Sequence, residues 1–218
     1  MWKYLRNLVD ELFIIKPKNM KILIDNGHGE DTKGKRSPDG FFREYSYARY
    51  IASMIVTNLK IKGYDAELLV TEENDISLKE RVRRVNEICD KLGSENVLLI
   101  SIHNNACGDG TNWMNGRGWS AYTTKGDNNS DKLAEILYKE AKKNFEGKKI
   151  RIDNSDGDMD WEENFYIIKN SKCVSVLTEN FFMDNKDDIA YLCSDEGKNA
   201  IIETHINGII EYLKTLKH

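Results

Sequence analysis

The 218-residue chain lacks any apolar run approaching the ~20 residues that a membrane-spanning helix needs, so we expect no membrane span. It also lacks an excess of charge of one sign, since its formal net charge is -4. A nucleic-acid partner would be indicated by a basic excess, and we therefore expect none. With 40% hydrophobic and 31% charged residues, the composition is typical of one soluble globular domain.

Several short motifs that would indicate a particular metal site or cofactor are absent. The four cysteines form no C-x-x-C pair, which argues against a zinc ribbon and leaves the redox compartment open. No H-E-x-x-H occurs, and the pair Gly27-x-Gly29 lacks the third glycine of a dinucleotide-binding loop. The acidic stretch 153–163 does not fit a calcium loop, because aligning Gly157 with the turn glycine puts Ile152 at the first ligand position.

The first 19 residues do not follow the pattern of a secretory signal. Asp10 and Glu11 interrupt the apolar stretch that a signal peptide needs, and no small-residue cleavage site follows. We interpret residues 1–19 as an N-terminal extension or helix, and 20–218 as one folded domain. A degenerate export signal is the alternative.

Apolar runs alternate with helical patterns along the rest of the chain. Strands are predicted at 21–25, 66–70, 97–102, 119–123, 165–168 and 174–178. Helices are predicted at 44–60, from Leu78 after a capping box of Ser77 and Glu80, from a Ser130 cap to residue 145, and from about Ser194. This alternation predicts an α/β fold with a largely parallel sheet.

Polar side chains follow three of these strands. His28, His103 and Glu179 each come after an apolar run, and functional groups gather beyond the carboxyl ends of parallel strands. Glu44 opens the first long helix, and the residues four, seven and eight positions later are apolar or small. Glu44 therefore belongs to the face that packs on the sheet, where a carboxylate is costly unless it is paired or binds a metal.

Two imidazoles and one carboxylate are a common ligand set for a catalytic zinc, with the fourth position left for water. Glu179 would then be free to act as a general base. Each residue also has a simpler interpretation. A histidine after a strand is often structural, Glu44 suits the positive end of a helix dipole, and Glu179 could be an ion-pair partner.

The surrounding motifs resemble those of a known family. D-N-G-H-G at 25–29, Glu44 at the helix start, S-I-H-N-N-A at 101–106 and T-E-N-F-F-M-D-N at 178–185 are similar to segments of zinc-dependent N-acetylmuramoyl-L-alanine amidases of the Amidase_3 family. The resemblance covers residues 20–214. The four segments occur in the family's order, which is more specific than any one of them.

The resemblance implies one zinc ion per chain, bound by His28, Glu44 and His103, with Glu179 catalytic. The implied reaction is hydrolysis of the amide between N-acetylmuramic acid and L-alanine in peptidoglycan. The implied fold is a single α/β domain, with a mixed, mainly parallel sheet of about six strands and helices on both faces. Residues 20–218 would be the amidase catalytic domain, and we expect a monomer.

The sequence departs from the family at three positions. Asn26 stands where proline is common, Glu30 where a second glycine is common, and Asn180 is taken to replace the glycine after the catalytic glutamate. We expect Asn180 to adopt an unusual backbone angle for this reason, which asparagine tolerates better than most residues. None of the three removes a ligand, so they bear on substrate preference more than on chemistry.

Two loops are expected to flank the substrate groove, at 106–118 and 153–163. Trp113 and Trp161 lie in them, and each could stack on sugar or peptide, or anchor its loop in the core. His205 lies in the last helix and is expected to be a packed residue and not a ligand.

Two other functions stay open at this point. A zinc peptidase could use the same residues on another cell-wall peptide bond, and a cell-wall binding module could carry the site without turnover. The substrate lies outside the cytoplasmic membrane, whereas no clear signal peptide is visible. We therefore expect either a phage-type lysin released through a holin pore or a bacterial enzyme exported by another route.

Overall fold

The computed structural model describes residues 20–155 and 157–216. These residues contain six strands, namely β1 (Lys21–Asn26), β2 (Asp65–Leu68), β3 (Val97–Asn105), β4 (Ser120–Thr123), β5 (Trp161–Glu162) and β6 (Val174–Phe182). They form one sheet in the order β2-β1-β3-β6-β4-β5. The predicted N-terminal extension or helix at residues 1–19 lies outside the described residues. The predicted domain boundary at residue 20 lies at their edge.

The sheet is mixed and mainly parallel, as predicted. β2, β1, β3 and β6 run in the same direction, and β4 pairs antiparallel with β6 while β5 runs parallel to β4. The chain passes from β1 to β2 on one side and then returns to β3 on the other side of β1. Such a switch in strand order opens a crevice at the carboxyl ends of the two strands.

Helices cover both faces of the sheet. They are α1 (Glu44–Ile61), α2 (Leu78–Leu92), α3 (Asn129–Asn144), α4 (Tyr166–Asn170), α5 (Lys186–Cys193) and α6 (Asp195–Thr215). α1 and α3 pack on one face, with α6 against both, and α2 and α4 pack on the other. The predicted fold class is therefore confirmed.

The central strands are apolar on both sides because both faces are covered. Ile22 and Ile24 of β1 belong to the larger core beneath α1, whereas Leu23 points into the smaller core beneath α2. Leu98 and Leu99 of β3 divide in the same way. This explains why the sequence shows continuous apolar runs here and not the alternation of a half-exposed sheet.

One predicted strand is wrong. Phe165 is the N-cap of helix α4, and residues 166–168 are its first three residues, of which Ile167 and Ile168 are both buried. A short apolar run fits a buried strand and a buried helical turn equally well, so periodicity could not separate them. Helix α5, of 8 residues, and strand β5, of 2 residues, were not predicted, because segments this short show no clear periodicity.

The helix caps differ in detail from the predictions. Ser77 accepts a hydrogen bond from the Glu80 backbone, but the Glu80 carboxylate is held by Arg83 and Arg84 and does not complete a capping box. α3 is capped by Asn128 with Asp131 in a reciprocal pair, and not by Ser130. The Ser130 hydroxyl instead accepts from the backbone of Ser175.

His205 packs inside the domain, as predicted. Its Nδ1 donates to the Ile201 carbonyl at 2.7 Å, and its Nε2 lies 2.9 Å from the Thr178 hydroxyl. Burial lowers the pKa of His205 to about 4, so the ring is neutral and Nε2 accepts from the hydroxyl. None of the described helices is both long and apolar enough to cross a membrane.

Aromatic packing around Phe145 joins the end of α3 to β6 and α5. The Phe145 ring lies 5.2 Å from Phe181, 6.0 Å from Trp119 and 6.5 Å from Tyr191, and Phe145 is 2% exposed. We predict that Phe145→Ala lowers the free energy of unfolding by about 3–5 kcal/mol, because removing this large buried ring leaves a cavity. Urea unfolding followed by circular dichroism measures this. The matched control Phe41→Ala removes a ring that is 77% exposed and should change little, and equal effects of the two variants would contradict the prediction.

Candidate metal centre

The ends of β1 and β3 bring two histidines to the crevice. Asn26 pairs with Ile102 in the parallel register, and the Gly27 backbone continues the pairing with a 3.0 Å hydrogen bond to the Ile102 carbonyl. His28 follows β1 by two residues, and His103 lies one residue beyond Ile102. The two rings meet edge to face with centroids 5.0 Å apart. The sheet itself therefore sets the separation of the two imidazoles.

Glu44 reaches these rings from the first turn of α1. Its side chain is 1% exposed, and Oε1 accepts from the Asn104 backbone at 2.9 Å and lies 3.0 Å from His103 Nδ1. Oε2 lies 3.4 Å from His28 Nε2. Glu44 thus connects two histidines that are 75 positions apart in the chain.

The three side chains form a group that could hold a metal ion. One donor atom from each of His28, Glu44 and His103 lies within 4.8 Å of the other two, and no other such group occurs among the described residues. Glu44 Oε2 is buried and has no hydrogen-bond donor within the described chain. An orphaned, buried carboxylate oxygen is costly, and a divalent cation would satisfy it. Nitrogen and oxygen donors in this number suit zinc.

The charges of the group match those of metal ligands. Burial lowers the pKa of His28 to about 4, and the Glu44 charge offsets this only in part. Burial opposes ionisation of Glu44 too, but the His103 hydrogen bond and the two nearby imidazoles lower its pKa overall. Burial likewise opposes charge on His103, whose pKa is nevertheless raised by Glu44 and Glu179. A neutral His28 and an ionised Glu44 are ready to bind a cation.

Hydrogen bonds to its backbone carbonyl hold His28 in an unusual backbone conformation. Its φ is 62°, in the left-handed region that a residue other than glycine rarely adopts. Its carbonyl accepts from Arg49 at 2.9 Å and from Arg81 at 3.3 Å. Arg49 also binds the carbonyls of Glu72 and Glu73. These bonds offset the cost of the strained conformation and fix the direction of the ring.

Arg81 is the centre of a buried network behind the site. It is 2% exposed and donates to Asp25 Oδ1 at 2.6 Å and to the Asn26 carbonyl at 2.8 Å. The other Asp25 oxygen accepts from the Ser101 hydroxyl at 2.6 Å, which ties β1 to β3 just before His103. Arg49 had no recognisable signal in the sequence, because its partners are backbone carbonyls brought together only by folding.

Glu179 lies beside the histidine pair. It is the register partner of His103 in neighbouring parallel strands, so both side chains project from the same face of the sheet. Burial raises the pKa of Glu179 to about 7, helped by the Glu44 charge and opposed by the charge of His103. Its Oε2 has no hydrogen-bond partner among the described residues. A carboxyl group with this pKa can take up and release a proton near neutral pH.

The expected backbone strain falls one residue later than predicted. Asn180 is part of β6, whereas Phe181 has a φ of 63°. The motif E-x-G-F read from Glu179 puts its glycine at position 181, which agrees with the left-handed angle there. The Asn180 amide instead donates to the His103 carbonyl at 3.1 Å and accepts from Trp119 Nε1 at 3.0 Å. The Asn180 side chain thereby links β6 to β3 in the middle of the sheet.

Both loop tryptophans pack against the core. Trp113 lies against the larger core with Lys186 over its ring, and Trp161 lies against the smaller core with Arg151 over its ring. Loop 106–118 is further anchored by Asp184, which accepts from two backbone amides of that loop. These contacts favour anchoring over stacking on substrate.

Comparison with known proteins agrees with this geometry. A protein-family model described as N-acetylmuramoyl-L-alanine amidase matches residues 22–211 of this chain. The endolysin of Bacillus phage SPP1 is 27% identical over 199 residues, which are 90% of this chain and 67% of that protein. The N-acetylmuramoyl-L-alanine amidase LytC of Bacillus subtilis is 27% identical over 193 residues, which are 88% of this chain and 35% of LytC.

Solved structures of the same kind share the fold. The N-acetylmuramoyl-L-alanine amidase from Clostridium difficile 630 superposes with a TM-score of 0.75 at 23% identity. The match covers 91% of this chain and 98% of that one. At this identity the likeness bears on the fold and not on individual side chains.

Gly27 lets the two histidines come together. A Cβ built on Gly27 would lie 2.3–2.7 Å from three atoms of the His103 ring, closer than any real contact. We predict that Gly27→Ala displaces this ring and weakens zinc binding at least tenfold, measured by competition with a chromogenic chelator. Gly108→Ala is a matched control, because the nearest atom to its added Cβ is 3.6 Å away. Equal zinc affinity in the two variants would show that the close approach is unimportant.

Proposed function

Because the chain belongs to the N-acetylmuramoyl-L-alanine amidase family and is a cell-wall amidase, we propose that it works with one zinc ion bound by His28, Glu44 and His103. The observation that carries this proposal is the convergence of the three side chains around a buried Glu44 oxygen without a donor among the described residues. Glu179 is the proposed general base, and peptidoglycan is the substrate.

The chain's own residues divide the chemistry between them. When bound, zinc supplies Lewis acidity, which makes water a better nucleophile and the substrate carbonyl a better electrophile. Glu179 takes a proton from the attacking water and passes it to the leaving nitrogen of L-alanine. His28 and His103 supply neutral nitrogen donors, and Glu44 supplies the negative charge that a divalent ion needs.

The two carboxylates keep distinct roles because their surroundings differ. Hydrogen bonds from Asn104 and His103 favour the ionised form of Glu44 against its burial, whereas Glu179 receives no such bond on Oε2. Paired acids whose pKa values are pushed apart are a common basis for assigning a fixed anion and a proton carrier. This supports Glu44 as the ligand and Glu179 as the base.

A lytic role at the cell wall is supported by the similarity to a phage endolysin, while the similarity to LytC is equally compatible with a bacterial enzyme. The holin partner, the export route and the monomeric state stay predictions. Appearance of the native protein in culture medium without lysis would contradict release through a pore.

Separate variants test the roles of the base and the ligands. We predict that Glu179→Ala retains zinc but lowers kcat on purified peptidoglycan by about 10²–10⁴-fold, because the proton carrier is lost. His28→Ala and His103→Ala are expected to lose both zinc and activity. Zinc content by atomic absorption and release of new amino groups measure the two properties. Glu203→Ala, an exposed change on α6, is the control. An active Glu179→Ala enzyme would refute the assignment.

The cleaved bond distinguishes the amidase from the zinc peptidase alternative. We predict that mass spectrometry of digested muropeptides detects free stem peptides with a new amino group on L-alanine. Adding a chelator should abolish this product, and adding zinc should restore it. A new amino terminus on any other residue would favour the peptidase, and full activity after complete zinc removal would exclude the proposed centre.

A further inference from the structure

Arg151 lies next to the proposed centre without belonging to it. Its backbone amide donates to the Trp119 carbonyl at 2.8 Å, and Trp119 directly precedes Ser120, the register partner of Glu179. The guanidinium of Arg151 sits over the ring of Phe182, three residues beyond Glu179. Both contacts place Arg151 at the edge of the crevice on the β4 side.

The Arg151 guanidinium is held between aromatic rings and is short of acceptors. Its central carbon lies 4.9 Å from the Trp161 ring centroid and 5.2 Å from that of Phe182. Its one side-chain hydrogen bond to another side chain of residues 20–155 and 157–216 is a 3.5 Å contact with the Tyr122 hydroxyl. No acidic side chain among the described residues pairs with it. Aromatic faces orient a guanidinium while leaving most of its five N–H donors unused.

The Trp161 indole N–H also has no acceptor among the described residues, and its Nε1 is buried. An indole N–H can only donate, and a buried donor without a partner is costly. Because this nitrogen is shut off from solvent, the Trp161 ring serves to orient Arg151, and the donors left for an anionic acceptor are those of the Arg151 guanidinium.

The positive charge of Arg151 also reaches the proposed base. Burial raises the pKa of Glu179 to about 7, and the charges of His103, Lys35 and Arg151 act in the opposite direction. Because Arg151 binds the residue before Ser120, the register partner of Glu179, a substrate group bound to Arg151 would lie on the Glu179 side of the crevice.

We propose that the Arg151 guanidinium binds the free α-carboxylate of the stem-peptide residue that follows L-alanine. This rests on the proposed function and adds a specificity determinant to it. The second residue is joined to the third through its side-chain carboxyl group, so its α-carboxylate is free in some cell walls and amidated in others. A guanidinium matches a carboxylate with two parallel hydrogen bonds and has no such match with an amide.

The test uses two synthetic muramoyl peptides that differ only in having this α-carboxylate free or amidated. The wild-type enzyme is expected to cleave the free form with a kcat/KM about tenfold to a hundredfold higher, mainly through a lower KM. Arg151→Gln should reduce this ratio to about one, because the guanidinium that distinguishes the two peptides is lost. Arg151→Lys should keep part of the preference, because it retains the charge without the planar fork.

Two further measurements separate recognition from folding. Trp161→Phe keeps an aromatic ring against the guanidinium and removes only the buried N–H, so it should keep the preference within about threefold. Arg117→Gln is the matched control, because Arg117 is exposed and 3.9 Å from Asp187, and it should leave the ratio unchanged. Titration of the enzyme with the released peptides, followed by tryptophan fluorescence, should give the same order of affinities without turnover.

Several outcomes would overturn the inference. Equal kcat/KM of the wild-type enzyme for the two peptides would do so, and so would a preference that persists in Arg151→Gln. Equal loss of activity on both peptides in that variant would mean that Arg151 is structural. No cleavage of either peptide by the zinc-loaded wild-type enzyme would instead contradict the proposed function itself.

Discussion

The structure depends on placing one carboxylate, that of Glu44, where water cannot reach it. A buried anion at the start of α1 is tolerated only because His103 and the Asn104 amide bind one oxygen and His28 faces the other. The second oxygen has no donor among the described residues, and a bound cation would satisfy it. The contacts around α1, β1 and β3 serve to keep three donors within 4.8 Å of one another.

The fold positions the rings of His28 and His103 mainly by fixing the backbone, and less by direct contacts to the rings. Gly27 provides room for His103, and the left-handed angle of His28 turns its ring toward Glu44. Arg81 and Arg49 hold the His28 carbonyl, and Asn180 holds the His103 carbonyl. Such supports matter because a metal centre needs ligand positions accurate to a fraction of an ångström.

The other side of the crevice is arranged for a different purpose. Glu179 keeps a raised pKa because it is buried with few hydrogen bonds, which suits proton transfer. Beyond it, Arg151 offers a positive charge that contacts aromatic rings and pairs with no acid in the described part of the chain. The crevice thus runs from the negatively charged Glu44, through a titratable acid, to a cation, an order that fits a substrate with a carbonyl at one end and a carboxylate at the other.

The sequence by itself determined the α/β fold, most of the element boundaries, and the short list of His28, Glu44, His103 and Glu179. It could do so because strand ends and the apolar face of a helix follow from local periodicity. It misassigned residues 165–168, since four residues carry too little pattern. It placed the strained angle at Asn180 and not at Phe181, because the glycine of the motif was aligned one residue early. Only the tertiary structure decided that the three donors converge, that Arg49 holds His28, and that Arg151 borders Glu179. These are distances between residues far apart in the chain, and no local pattern records them.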